Sequence, residues 1–254
     1  MPNLAPAQAN NLGVLALQHN DLTGAKQLFR QALGDLQTHI TFNARGKRSL
    51  SPQQDSVYSI PCIRNTIGLP LGGAFKRYDT ASIFSRAIPL PICSCQLFHE
   101  ESEFDDSTFS AIIIFNLGLV FHLEGIQDMS LQAQLVKAKN LYLHAHNLLE
   151  RSAAVMQDGF SPHPGLTRGT AVIDLLYMGL LNNLAQIYSE FCDSENSRNF
   201  FILLVRHAMS LQLRDYGMDE SKLELASFMD QQIESFLNNA MFSVLTSHSA
   251  SAAA

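Results

Sequence analysis

The sequence predicts a mainly α fold, an irregular array of helical hairpins (α-α hairpins) with a partly extended insertion and a C-terminal capping helix. Three observations predict it. Apolar residues recur at helical spacing near the N-terminus, and an Asn-Leu-Gly motif from that stretch returns twice, once with Ala in place of Gly. A long amphipathic stripe also lies near the C-terminus. We treat residues 1–254 as a single domain, since this length is sufficient for one hydrophobic core.

The first hairpin, at about residues 6–37, is predicted by two apolar stripes on either side of a polar turn at His19–Asp21. The stripe of the first helix consists of Ala9, Leu12, Gly13, Ala16 and Leu17. The stripe of the second helix consists of Ala25, Leu28, Phe29, Ala32 and Leu33. Because small residues let two helices approach closely, the ring of Phe29 is expected to fill the space beside Gly13.

The second hairpin is predicted at about residues 107–156, where Asn116–Gly118 repeats Asn11–Gly13. Its second helix has small, aromatic and small residues at the places of Ala25, Phe29 and Ala32, namely Ala138, Tyr142 and Ala145. The spacing from the glycine to the first of these is 20 residues, compared with 12 in the first hairpin. Because turns tolerate insertions best, about eight extra residues are expected in this turn.

The third hairpin is predicted at about residues 170–216, where Asn183–Ala185 stands for Asn-Leu-Gly and Tyr188 supplies an aromatic residue. Its second helix offers Ser197, Phe201 and Leu204. The spacing from Ala185 to Ser197 is again 12 residues. Three related hairpins favour a repeat array over unrelated amphipathic helices.

The pattern of small and large residues resembles the tetratricopeptide repeat (TPR), a helix–turn–helix of about 34 residues. In the first hairpin, Ala9 replaces the usual aromatic residue of the first helix, and Gln37 replaces the closing proline. An ordinary amphipathic hairpin is the alternative. The resemblance implies that neighbouring hairpins stack, because one repeat cannot bury its own apolar face. It also implies that the first helices line a concave groove.

Two segments interrupt the array, and a helix closes it. The insertion at about residues 38–106 is rich in Pro and Gly, which excludes long helices, and contains strand-like runs at 56–63 and 80–92. We expect an ordered arm or hairpin packed on the helices, with disorder near residues 43–55, and a loop at about 157–169. The capping helix is predicted at about 219–245 and the frayed tail at 246–254. The helix stripe consists of Leu223, Leu225, Phe228, Met229, Ile233, Phe236, Leu237 and Met241.

Composition excludes several classes of protein. A net charge of −6 argues against a nucleic-acid-binding protein. The most apolar run, residues 111–121, is too short to span a bilayer and favours a buried helix, so no membrane partner is expected. Four cysteines and an N-terminus without a signal-peptide pattern favour a reducing compartment. The expected location is the cytoplasm, with the nucleus left open.

The chain offers little catalytic or metal-binding chemistry. Cys93, Cys95 and His99 form the sharpest cluster, but one residue separates the cysteines and no second ligand pair follows. Ordinary reduced cysteines are the favoured interpretation, and a metal-dependent sensor or enzyme is the minor alternative. No phosphate-binding loop or catalytic-triad motif is recognisable. We therefore expect no cofactor, no metal site and no enzymatic activity.

One polar residue recurs at the same place in all three first helices: Asn11, Asn116 and Asn183. The resemblance implies that such amides contact the backbone of a bound peptide, since an amide both donates and accepts hydrogen bonds. A structural role, in which the amide satisfies neighbouring backbone or helix-packing groups, is weighed equally. No Lys or Arg occupies the matching positions, which argues against a clamp for a C-terminal carboxylate. The groove candidates are Asn10, Asn11, Val14, Gln18, Phe115, Asn116, Leu119, His122, Asn182, Asn183 and Gln186.

The function expected from this architecture is that of a non-enzymatic scaffold or adaptor for protein–protein interaction. Its partner would be a protein or peptide segment bound in the groove. The alternative is a self-assembling structural protein whose groove is filled by its own insertion or by another copy. A homo-oligomer is therefore left open.

Overall fold

The computed structural model describes residues 5–45, 88, 105–128, 132–157, 168–212 and 220–251. Within these ranges every regular element is an α-helix, which confirms the mainly α fold class. The helices are α1 (Pro6–Gln18), α2 (Leu22–Arg45), α3 (Asp106–Gln127), α4 (Gln132–Gln157), α5 (Arg168–Glu190), α6 (Ser194–Gln212) and α7 (Glu220–Ser251).

The helices pack mainly with their neighbours along the chain. The pairs α1–α2, α3–α4 and α5–α6 lie side by side, α2 also packs on α3, and α7 packs on α6 and α5. In the first two pairs a glycine faces an aromatic ring, because a Cβ at Gly13 would lie 2.6 Å from Phe29 Cε1 and one at Gly118 would lie 2.8 Å from Tyr142 Cε1. The predicted pairing of small and aromatic residues is confirmed at both places.

The turns of the first and third pairs have the same geometry. Asn20 and Cys192 both have positive φ, of 61° and 57°, and each is followed by an aspartate. Asp21 accepts a hydrogen bond from the backbone of Gly24, and Asp193 accepts one from the backbone of Asn196. Each aspartate therefore occupies the N-cap position of the second helix of its pair.

The expected insertion of about eight residues in the turn of the second pair is wrong. Most of the extra residues extend the two helices, since α3 continues to Gln127 and α4 begins at Gln132. The physical reason is packing: a Cβ at Gly125 would lie 2.6 Å from Leu135 Cδ2, so the helices still approach closely there. Burial of Leu135 against that glycine stabilises the additional helical turns.

Other helix boundaries differ from the expected ones. The helix α2 runs to Arg45, eight residues past the predicted end at 37, and α7 runs to Ser251 instead of 245. Asp105 caps α3 by accepting a hydrogen bond of 2.8 Å from the Thr108 backbone. Within α7, Met229, Ile233 and Phe236 are buried, whereas Met241 is 60% exposed and does not belong to the buried stripe.

The helix α3 is the most central of the described helices. It packs on α2 and α4 and touches α1 and α5. Among the described helices, α3 is long and apolar enough to cross a membrane, but 78% of its most apolar stretch is buried against the rest of the protein. A helix that is apolar on all sides is typical of a protein core. The interpretation of residues 111–121 as part of a buried helix is thus confirmed.

Candidate functional site

The backbone of Ile88 is held by the side chain of Asn116. The Ile88 N–H donates a hydrogen bond of 2.9 Å to Asn116 Oδ1, and Asn116 Nδ2 donates one of 2.8 Å to the Ile88 carbonyl. One amide side chain therefore satisfies both backbone polar groups of one residue, as a neighbouring β-strand would. Between α2 and α3 the structure describes Ile88 and Asp105, and Ile88 belongs to the predicted strand-like run at 80–92.

A second amide completes this arrangement. Asn10 Nδ2 donates to the same Ile88 carbonyl at 3.2 Å, and Asn10 Oδ1 accepts a hydrogen bond of 2.9 Å from Asn116 Nδ2. Asn10 Nδ2 also lies 3.3 Å from Asn11 Oδ1. We call the backbone groups of Ile88 together with the side chains of Asn10 and Asn116 the Ile88 site. It joins α1 and α3 through residue 88.

The Ile88 site is buried within the hydrophobic core. Asn10, Asn116 and Ile88 each have an exposed fraction of 0%. The side chain of Ile88 belongs to the same hydrophobic core as Val14 and Phe115. Buried amides need hydrogen-bond partners, so if Ile88 left the site, the side chains of Asn10 and Asn116 would have to bond with water or with another backbone.

The equivalent asparagine of the third hairpin has a different partner. Asn183 Nδ2 donates a hydrogen bond of 3.3 Å to the hydroxyl of Tyr142, on α4. Asn182 Nδ2 donates to Asn183 Oδ1 at 3.2 Å, and Asn182 Oδ1 accepts a bond of 2.6 Å from Asn239, on α7. These amides connect α4, α5 and α7.

His122 lies beside the Tyr142 hydroxyl, with its Nδ1 at 3.4 Å and the two rings in an edge-to-face arrangement. Burial lowers the pKa of His122 to about 3, so the imidazole is neutral at physiological pH. Burial also raises the pKa of Tyr142, although the hydrogen bond from Asn183 opposes this shift. Within the described part of the chain, His122 Nε2 has no hydrogen-bond partner.

Four of the eleven groove candidates meet in two pairs. Asn10 and Asn116 meet at Ile88, whereas His122 and Asn183 meet at Tyr142. Two candidates, Gln18 and Gln186, are half-buried. The buried ones are Asn10, Asn11, Val14, Phe115, Asn116, Leu119, His122, Asn182 and Asn183.

Sequence reasoning did not identify Ile88, the Tyr142 hydroxyl or Asn239 as members of these sites. Ile88 carries one usable signal, an aliphatic residue before a proline in the strand-like run at 80–92. The Tyr142 hydroxyl could also have been noticed from the sequence, because the equivalent residue of the first hairpin, Phe29, has no hydroxyl. Asn239 carries no such signal, since nothing local indicates that it lies beside Asn182.

Metal chemistry finds little support in the described residues. Among them, no group of three or more His, Cys, Asp or Glu side chains is arranged to hold a metal ion. Cys93, Cys95 and His99 lie outside the described residues.

The arrangement at Ile88 can recognise a polypeptide backbone. The amide nitrogens of Asn10 and Asn116 donate to the carbonyl of one residue, and the amide oxygen of Asn116 accepts from the N–H of the same residue.

Comparisons of this chain with protein-family models, curated proteins and solved structures found no match. The geometry of the Ile88 site is therefore the basis of the functional argument.

Proposed function

We propose that this protein is a non-enzymatic scaffold that binds an extended polypeptide segment between α1 and α3, the first helices of two TPR-like hairpins. One observation carries the proposal: Asn116 forms hydrogen bonds with both the N–H and the carbonyl of Ile88. The ligand at this site in the structure is a residue of the same chain. An extended segment of a partner protein would present the same two backbone groups.

The chemistry of the site favours binding over catalysis. Backbone hydrogen bonds supply an affinity that is independent of sequence, and burial of one aliphatic side chain adds selectivity. The amide groups of Asn10 and Asn116 are neutral, so they neither transfer protons nor attack a substrate at ordinary pH. A scaffold needs only these properties.

The repeat architecture is supported by two further observations. The α1–α2 and α5–α6 turns share a positive-φ residue followed by an N-cap aspartate, at Asn20–Asp21 and Cys192–Asp193. Gly13 and Gly118 each face the aromatic residue at the equivalent place of the second helix. These similarities are expected if the hairpins are copies of one unit.

The test uses a synthetic, fluorescently labelled peptide with the sequence of residues 84–92, FSRAIPLPI, and the full-length Ile88→Ala variant. Fluorescence anisotropy should show saturable binding. Addition of Asn116→Ala should weaken this binding by roughly 5- to 160-fold, because two hydrogen bonds are lost at roughly 0.5–1.5 kcal/mol each.

The matched control adds Leu204→Ala to Ile88→Ala instead. Leu204 is equally buried but lies on α6, which packs on α5 and α7. This control should bind the peptide like Ile88→Ala, with circular dichroism confirming that each variant is folded. Equal binding by the Asn116→Ala and Leu204→Ala proteins would contradict the proposal.

A second candidate is self-assembly, in which Ile88 of one copy occupies the site of another. The occupied Ile88 site favours it, since the same contacts would form between two copies. Light scattering after size-exclusion chromatography measures the mass. A mass of one chain, 28.1 kDa, at every concentration tested would contradict self-assembly.

A further inference from the structure

We infer that the partner segment contains a branched aliphatic residue followed by proline, and that Ile88 competes with it for Asn10 and Asn116. This inference rests on the proposed function, since it names the ligand of the same site and its regulation. Three features of the Ile88 site support this inference: the hydrogen bonds to the N–H and carbonyl of Ile88, the burial of the Ile88 side chain, and the exclusion of a second ligand while Ile88 is bound.

The backbone groups define the conformation of the ligand. The site takes up the N–H and the carbonyl of one residue, and the carbonyl accepts from both Asn10 and Asn116. In this chain the next residue is Pro89, which has no N–H of its own. A residue before proline is restricted to extended conformations, so it loses less conformational entropy on binding.

The side-chain environment defines the type of residue. Ile88 is among the largest fully buried side chains of the protein and belongs to its hydrophobic core. A β-branched aliphatic side chain also has few rotamers to lose. A charged side chain at this place would be buried without a partner, which is strongly unfavourable.

Occupation by Ile88 excludes a second ligand. Both polar atoms of the Asn116 side chain are hydrogen-bonded to Ile88, and Asn10 and Asn116 are each 0% exposed. An external backbone can therefore reach these amides only after Ile88 has left. The two segments bind in a mutually exclusive manner.

Covalent connection gives Ile88 an advantage over an external segment. Residues 46–87 and 89–104 join it to α2 and to the start of α3 in the same chain. A segment tethered in this way acts at an effective concentration on the order of millimolar. The apparent affinity for an external ligand equals the intrinsic affinity of the free site multiplied by the fraction of molecules in which Ile88 does not occupy that site.

The experiment compares the full-length wild type with the full-length Ile88→Asp variant, which disfavours occupation by the chain's own segment. Both are titrated into the labelled FSRAIPLPI peptide, and binding is measured by anisotropy. The Ile88→Asp protein should bind at least about 10-fold more tightly than the wild type. The Ile88→Ala protein should give an intermediate affinity, which provides a milder variant if Ile88→Asp does not fold.

Altered peptides test the ligand class on the same Ile88→Asp protein. A peptide carrying the Ile88→Asp change should show no saturable binding, because its charge would be buried. A peptide carrying Pro89→Ala should bind several-fold more weakly, since its unbound form has more conformational freedom. Equal binding of the Pro89→Ala and unaltered peptides would overturn the proline requirement.

One arm of the experiment needs no variant of the protein. An excess of unlabelled FSRAIPLPI is added to the wild type, and exchange of the Ile88 backbone amide with deuterium is followed. Exchange should accelerate, because displacement exposes an N–H that is bonded to Asn116. Unchanged exchange while the peptide is bound would overturn the competition between the two segments.

The outcomes separate this inference from the proposed function. If the wild type and Ile88→Asp bind the peptide equally, and Asn116→Ala abolishes binding to both, the groove binds segments but Ile88 does not compete. If no protein binds in an Asn116-dependent manner, the proposed function fails and this inference fails with it.

Discussion

A single hydroxyl separates the roles of two equivalent asparagines. Asn116 and Asn183 occupy the same place in their hairpins, and each lies one hairpin after an aromatic residue, Phe29 or Tyr142. The Tyr142 hydroxyl accepts a hydrogen bond from Asn183, whereas Phe29 has no hydroxyl and Asn116 binds the backbone of Ile88. Both observed contacts lie within this chain and correspond to the structural interpretation, in which the amide satisfies a neighbouring backbone or helix-packing group, whereas contact with the backbone of a bound peptide stays a prediction.

His122 should make the stability of the protein depend on pH. Its pKa is lowered by burial to about 3 in the folded state, whereas an unfolded histidine has a pKa of about 6.5. As the pH falls below about 6.5, the unfolded chain takes up a proton that folded His122 does not, so the free energy of unfolding decreases. The decrease should approach about 1.4 kcal/mol per pH unit until the pH nears the folded value.

Urea unfolding of the wild type and His122→Gln between about pH 7 and 4 measures this contribution. The wild type should lose stability more steeply than the variant. The pKa of His146 is also lowered, because burial outweighs the opposing effect of the Glu150 charge. Since His146 is present in both proteins, its contribution cancels in the comparison. Parallel curves for the two proteins would show that His122 does not titrate as stated.

At the scale of the elements, close contact within each pair depends on where glycine lies. Gly118 and Gly125 of α3 face Tyr142 and Leu135 of α4, and both pairs leave no room for a Cβ. Among the described residues, none has an atom within 4 Å of the place where a Cβ of Gly34 on α2 would lie. The same residue type is thus a packing requirement in α3 and a cost to helix stability in α2.

Alanine substitutions at Gly118 and Gly34 should have opposite effects. Gly118→Ala places a methyl group 2.8 Å from Tyr142 Cε1, and overpacking of this kind costs roughly 1–3 kcal/mol. Gly34→Ala should stabilise the protein by about 0.5–1 kcal/mol, because alanine favours a helix and meets no neighbour. Urea unfolding of both variants measures the difference, and equal effects would contradict the packing described for Gly118.

At the scale of the whole molecule, each described helix is stabilised mainly by packing against its neighbours along the chain. The helix α7 buries Met229, Ile233 and Phe236 and packs on α6 and α5. Asn239 of α7 donates a hydrogen bond of 2.6 Å to Asn182 of α5. The helix α7 therefore covers apolar surface of α5 and α6.

Loss of packing at α7 should therefore affect nearby helices more than distant ones. Ile233→Ala removes a fully buried side chain and should cost about 2–5 kcal/mol, whereas Met241→Ala, at a side chain that is 60% exposed, should cost less than about 0.5 kcal/mol. Hydrogen exchange should rise in α5–α7 more than in α1 and α2. A uniform rise in all helices would instead indicate that the array unfolds as one cooperative unit.

Local patterns predicted most of the helices because their causes are local. The 3.6-residue periodicity of apolar residues is set by burial of one helix face, and the pairing of Gly13 with Phe29 follows from close helix approach. Boundaries were predicted less well. The expected end of the first hairpin at 37 followed the tetratricopeptide unit, whose closing proline is replaced by Gln37, but residues 38–45 contain neither Pro nor Gly, and the helix continues to Arg45.

By itself the sequence determined the α-helical class, the three first helices and the asparagines that they share, since each depends on residues a few positions apart. Only the tertiary structure decided what those asparagines contact. Ile88 lies 28 residues from Asn116 and 78 from Asn10, and Tyr142 lies 41 residues from Asn183. Such contacts depend on how the helices stack, and local periodicity carries no information about which distant residue supplies the partner of a buried amide.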